Sequence, residues 1–258
     1  MIAPLMTSAP APAVGSDIAP IPFSRLLRVE WSKATDTRAA RWLIGLVGIA
    51  TVAVMLAPLL ARGSIDQNYV TYLSFGAIPL TVLLPVVSIL TLTSEWSQRT
   101  VLTTFVQEPR RSRVVNAKVT VSAIIALAAA AFGGAVTALA VSIAALSGRP
   151  VEANLHPAEL IGFVLFVLLN LMMGVAFGAL LDNPAAAIVL FFGLPTVFGI
   201  VGSLVKSIGQ WLDPSRTFDW VLNGDWDGHV AKIAVSGLVW LVMPLAAGIV
   251  RTVRREIK

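Results

Sequence analysis

Residues 95–118 read EWSQRTVLTTFVQEPRRSRVVNAK, a charged interruption of 24 residues between two long apolar runs. The stretch is too polar to lie in hydrocarbon and too apolar to be a free linker. Val101, Leu102, Phe105 and Val106 fall at i, i+1, i+4 and i+5, which predicts one face of a short helix, with Gln98 and Arg99 behind it and Thr93 or Ser94 as N-cap. Pro109 then ends that helix, because a proline lacks the N–H that would continue it. Arg110, Arg111, Arg113 and Lys118 follow as a basic cluster where the next apolar run begins. A segment of this kind lies on a membrane surface and can be pushed by something soluble.

Composition supports a membrane setting. Hydrophobic residues make up 57% of the 258 and charged residues 13%, about half the charged share of an average soluble domain. The net charge of +5 would point to nucleic acid in a soluble protein; in a membrane protein lysine and arginine mark cytoplasmic ends, so no nucleic-acid partner is expected. The absence of cysteine excludes disulfides, thiolate metal sites and a cysteine nucleophile.

Six runs are long enough to cross roughly 30 Å of hydrocarbon at about 20 residues each: 42–61, 71–93, 119–146, 160–181, 185–205 and 230–250. The expected fold is therefore all-α integral membrane, a single six-span domain over 23–258 after a proline-rich disordered tail at 1–22. From Phe23, a stripe of Phe23, Leu26, Leu27, Trp31 and Ala34 opposes Ser24, Arg25, Arg28 and Ser32, predicting an amphipathic interfacial helix. Glu30 intrudes near that stripe and needs a partner such as Lys33, Lys118 or an arginine of another chain, unless it is a solvated surface acid. With both termini cytoplasmic, fourteen of the nineteen lysines and arginines fall inside, which orients the chain as a multi-pass protein of the cytoplasmic (inner) membrane with residues 95–118 on the cytoplasmic side. Trp31, Trp42 and Trp96 then lie at the inner boundary, Trp211, Trp220 and Trp226 at the outer one, and Trp240 at mid-depth. Spaced aromatics and Pro214 between the fifth and sixth runs predict two short helices dipping into the outer interface.

The central parts of the runs carry no Asp, Glu, Lys, Arg or His, which argues against a proton- or sodium-coupled carrier and against an ion pore. Hydroxyls and one amide are left, among them Thr81, Ser88, Asn170 and Thr196, and a pathway lined by them suits an amphiphilic or hydrophobic, drug-like or lipid-like substrate. The plainer role of each is a hydrogen bond within or between helices. Gly174 and Gly178 form a GxxxG pair for close packing, Gly133 and Gly134 leave a groove, and Pro79, Pro85, Pro195 and Pro244 should kink their spans. No phosphate-binding loop, HExxH or G-x-S-x-G occurs, so the chain is not expected to be an enzyme or to hold a cofactor or metal, and any power source is a partner. A membrane scaffold or signalling subunit bound to an ATPase is the alternative class, and a membrane enzyme a more distant third.

In its topology over residues 23–258 the chain resembles the small six-span ABC-2 type permeases, membrane subunits of ATP-binding-cassette exporters of the type V architecture. The segment Lys206 to Asp227 is similar to the extracellular helices before that family's last span, and the resemblance is sharpest in two places. Glu30, Trp31 and Lys33 are similar to the acidic-aromatic-x-Lys pattern of that family's connecting helix. Glu95, Thr100, Pro109, Ala117 and Lys118 are similar to its E-x-x-x-G-T…P-x-x-R…A-K run, with Arg99 replacing the glycine, and with Ser112 at the arginine position so that Arg111 or Arg113 takes that role. The resemblance implies a coupling helix between spans two and three that docks on a nucleotide-binding ATPase subunit, through Glu95, Trp96, Arg99, Thr100, Leu102, Phe105, Pro109, Arg111, Arg113 and Lys118. It further implies a dimer with a second copy or a related permease, ATP and Mg²⁺ being held by the ATPase alone.

Overall fold

The computed structural model describes residues 21–61, 65–98, 100–152 and 154–254. Most of the expected tail at 1–22, and Arg99, lie outside these. Among the described residues the chain is helical with no strand, in the order α1 (Phe23–Thr35), α2 (Arg38–Leu60), α3 (Tyr69–Ser97), α4 (Val101–Gln107), α5 (Arg111–Leu146), α6 (Pro157–Leu181), α7 (Pro184–Leu204), α8 (Lys206–Leu212), α9 (Pro214–Leu222), α10 (Val230–Gly237), a π-helical turn (Leu238–Val242) and α11 (Met243–Arg254). Six of these segments are long and apolar enough to cross a membrane: α2, α3, α5, α6, α7 and the composite Val230–Arg254.

Capping chemistry starts several of them. The side chains of Thr37, Asn68, Asn183 and Asp213 accept the N–H groups of Ala40, Thr71, Ala186 and Ser215 at the heads of α2, α3, α7 and α9, each satisfying a donor that the helix itself leaves unpaired. Prolines 157, 184 and 214 occupy the first turns of α6, α7 and α9, where a missing N–H costs nothing.

The bundle is built around α3 and α6. Their most apolar windows are 56% and 50% buried within the chain, against 17% for α7 and for the last span. Gly174 and Gly178 permit that pairing: a Cβ on Gly174 would stand 2.6 Å from Ser88 Oγ and 2.9 Å from the Pro85 carbonyl, and one on Gly178 3.3 Å from Leu92 Cβ. The GxxxG pair thus closes α6 onto α3. Gly133 is likewise filled by Leu80 and Phe163, whereas Gly134 faces open space. Phe163, Val167, Leu171 and Val175 of α6 pack with Leu73, Leu80 and Leu84 of α3 in the main core.

The last span is not simply kinked at Pro244. Met243 N–H reaches back to Leu238 O, a five-residue step, so a π turn precedes the proline. Trp240 sits in that turn, 4% exposed, and donates its indole N–H to Leu212 O at 2.7 Å. Thr217 donates to Ser236 at 2.7 Å, both fully buried. Ser236 is six residues into the span, about 9 Å from its start. The two short helices expected between the last spans are present as α8 and α9, and they fold back against α6, α7 and the last span.

Candidate functional site

The residues of the opening stretch divide differently from the sequence expectation. Thr93 and Ser94 do not cap a new helix; α3 continues through them to Ser97, and α4 starts only at Val101. The break has a visible cause: Thr100 N–H bonds Glu95 O at 2.9 Å, a wide five-residue turn, after which Thr100 O accepts from Thr103 and Thr104. Trp96 is therefore in the last turn of α3, half-buried, and Thr100 stands at the N-cap position of α4. The apolar face of α4 also splits. Val101 is buried and Phe105 half-buried under the Arg111 guanidinium, 4.9 Å from its ring centre, while Leu102 and Val106 are 49% and 80% exposed. Pro109 lies in the turn between α4 and α5, as expected. The basic cluster is not a separate surface segment: α5 begins at Arg111 rather than 119, so Arg111, Arg113 and Lys118 occupy the first two turns of a 36-residue helix.

Four charges from three helices close into a ring at this end of the bundle. Lys33 Nζ lies 2.8 Å from Glu30 Oε1 and 2.6 Å from Glu95 Oε1, and Lys118 Nζ lies 2.6 Å from Glu30 Oε2 and 3.4 Å from Glu95 Oε1. Thr104 of α4 adds a hydroxyl donor to the same Glu95 oxygen at 3.3 Å. Glu30, Glu95 and Lys118 are 3%, 7% and 6% exposed. Glu30 is thus not a solvated acid, and its partners are both of the intrachain lysines named for it. A buried carboxylate is tolerated only when paired and hydrogen-bonded, and the alternation of two acids and two lysines meets that condition with no net charge. Trp31, next to Glu30, is 40% exposed and stands outside the ring.

A second pair secures the turn into α5. Glu108, 4% exposed, accepts Arg110 N–H at 3.3 Å and pairs with Arg113 at 2.7 Å, while Arg113 also donates to Ile21 O at 2.6 Å. Arg111 donates to Thr252 O at the end of α11 at 2.9 Å. Sequence reading passed over Glu108 and Thr104; the available signal was an acid standing alone before a proline and three arginines.

Burial alone would lower the Lys33 ammonium, but the bonds from Glu30 and Glu95 outweigh it and hold its pKa above the ordinary 10.5. A raised lysine stabilises the fold fully below its unfolded value and loses that contribution as pH rises through the folded one. Lys33 should therefore leave the thermal midpoint unchanged between about pH 7 and 9, with the loss confined to pH above 10.5. Melting curves of the wild type and Lys33→Met across that range test this: the difference between them should be flat to about pH 9 and shrink only beyond 10.5.

The four interior polar residues each bond a helix carbonyl. Thr81 donates to Ala77 O and Ile78 O, Thr196 to Phe192 O and Asn170 to Phe166 O, all within their own helices, and buried Ser88 bonds Pro85 O at 2.8 Å and, across to α6, Leu171 O at 3.3 Å. None of them lines the cleft of about 1030 Å³ that opens beside the ion-pair ring between α1, α2, α3 and α4. No group of three or more metal-ligating residues occurs among the described residues. No family model matches this chain, and no curated protein matches it.

Proposed function

We propose that the chain is the membrane-spanning permease subunit of an ATP-driven exporter for an amphiphilic or hydrophobic substrate, with both termini and the ion-pair ring on the cytoplasmic side. The observation that carries this reading is mechanical. The ring joins α1, α3 and α5, and α4 hangs from it through Thr104 and Glu95 with Leu102 and Val106 turned outward. A force applied to α4 would reach α3 and α5 through charged contacts too costly to break singly. Here α4 is the coupling helix, α1 the interfacial connecting helix, and the exposed pair Leu102 and Val106 the surface met by a nucleotide-binding ATPase that holds ATP and Mg²⁺. A second permease copy, or a related one, completes the pathway, and closure of the ATPases shifts it between two states that they bind differently.

The test places charge where α4 is exposed and spares Phe105, which the chain uses internally. Tagged wild-type protein solubilised from its native membrane should carry an ATP-hydrolysing subunit with it. Leu102→Asp with Val106→Asp should reduce that recovery at least about tenfold, two buried apolar contacts being worth more than about 1.4 kcal/mol, with the melting temperature unchanged. Recovery of no ATPase with the wild type, or undiminished recovery with the double variant, would overturn the reading. An ATPase that stays bound but drives no substrate into vesicles would identify a scaffold instead.

A further inference from the structure

We infer that the cleft beside the ion-pair ring is a binding site for an anionic phospholipid of the surrounding leaflet, its phosphate between Arg25 and Lys33 and its acyl chains along α2 and α3. This requires only the membrane setting and is independent of the transport reading. The cleft, about 1030 Å³, has two kinds of wall. Leu43 of α2 and Leu90 of α3 form an apolar side, one to two turns inside helices apolar enough to cross a membrane. Arg25 and Lys33 of α1 border the other side, with Ser94 and Gln98 near the end of α3. An apolar wall that meets a polar, charged one matches an amphiphile and not a soluble polar ligand.

The sign of the headgroup follows from how the charges around the cleft are used. Three acids border it, Glu30, Glu95 and Glu108, and each is already met by a cation of the chain: Lys118 and Lys33 for the first two, Arg113 for the third. Arg25 is different. It is exposed, and among the described residues it has no ion pair. Lys33, with its side chain 37% exposed, uses two of its three N–H groups on the carboxylates, leaving one for a ligand. The acids are neutralised and the surplus donors are cationic, so the complementary group is a phosphate with net negative charge, the headgroup chemistry that basic residues at a membrane surface select.

The experiment uses the full chain, purified in detergent and stripped of lipid, with native mass spectrometry against phosphatidylglycerol and phosphatidylcholine of identical acyl chains. One saturable phosphatidylglycerol per chain is expected, with phosphatidylcholine bound about fivefold more weakly or worse. Arg25→Gln should bring phosphatidylglycerol down to the phosphatidylcholine level. Arg28→Gln should leave it unchanged, because Arg28 is also exposed on α1 but does not border the cleft. Ala40→Trp, which fills the cleft from α2, should exclude both lipids at an unchanged melting temperature. Equal effects of the two arginine changes would mean general surface attraction and would overturn the site. So would equal binding of the two lipids, full competition by glycerol phosphate lacking acyl chains, or the absence of any saturable lipid, the result expected if a protein segment fills the cleft.

Discussion

Replacing Lys118 with methionine is expected to destabilise the chain by about 3 to 5 kcal/mol, the cost of removing one partner from a buried ion pair. Methionine keeps the length and most of the volume of the side chain, so the loss is electrostatic and not a cavity. Glu30 Oε2 would lose its 2.6 Å partner, and Glu95 Oε1 would lose the contact at 3.4 Å. Lys33 cannot replace it, since its single charge is already shared between Glu30 Oε1 and Glu95 Oε1 and does not neutralise two carboxylates. Lys33→Met should accordingly cost less, because water reaches that position and solvates what is left. The second half of the experiment removes the orphaned acid: Glu30→Gln in the Lys118→Met background should recover about 1 to 3 kcal/mol, the coupling energy expected of groups in direct contact. Denaturant unfolding of the detergent-solubilised protein measures all four corners of this cycle. A cost below about 1 kcal/mol for Lys118→Met, the range of a solvated surface pair, would mean that the ring is open to water.

This ring also marks the limit of what the sequence disclosed. The six-helix plan was legible because a hydrophobic run of twenty or so residues is a long signal, and each run located in the sequence falls on one of the six long apolar helical segments, the last of them interrupted by a π turn. Boundaries moved where polarity and helicity part company. Hydropathy stops at 119, yet α5 starts at Arg111, because the turns carrying Arg111, Arg113 and Lys118 are helical without being apolar. At about 1.5 Å per residue its 36 residues extend some 54 Å, well beyond the roughly 30 Å of hydrocarbon, so its basic turns are where hydropathy alone is blind. The helical period identified Glu30 as an acid on an apolar stripe in need of a partner. It could not choose among partners, since Lys118 is 88 residues away and the Lys33 contact to Glu95 spans 62; periodicity orders residues around one helix and says nothing of its neighbours.

Other features left weaker traces. The π turn at Leu238–Val242 stands just before Pro244 and holds Trp240, which is anchored 28 residues back on Leu212 O, and neither residue alone predicts it. On α4, spacing grouped Val101, Leu102, Phe105 and Val106 as one face, but the group lies across an edge: Val101 and Phe105 turn to the chain and Leu102 and Val106 away from it. Four apolar residues in seven are too wide a stripe for one neighbour to cover. Leu102 and Val106 are the uncovered half, the surface on which the proposed docking rests.

At the opposite end of the bundle, Gly162→Ala is expected to cost about 3 kcal/mol or more, the upper end of what overpacking does to a core. A single added methyl would overlap the carbonyl oxygen of Val221 and stand 3.0 Å from that of Leu222 and 3.3 Å from the Gly224 nitrogen. All three neighbours are backbone, so no flexible side chain can move aside; α9 must leave α6 or both must bend. Val221 O also accepts the indole N–H of Trp226 at 3.4 Å, so displacement of α9 should shift tryptophan emission to the red as well as lower the unfolding midpoint. Gly134→Ala supplies the contrast. Nothing lies within 4 Å of a Cβ there, and alanine in a helix interior should stabilise by about 0.5 to 1 kcal/mol. If the two substitutions behave alike, α9 is not seated on α6 in solution, and the burial of Thr217, Phe218 and Val221 falls with it. If they diverge as expected, the hairpin of α8 and α9 is part of the bundle, held by backbone contact that only glycine at 162 allows.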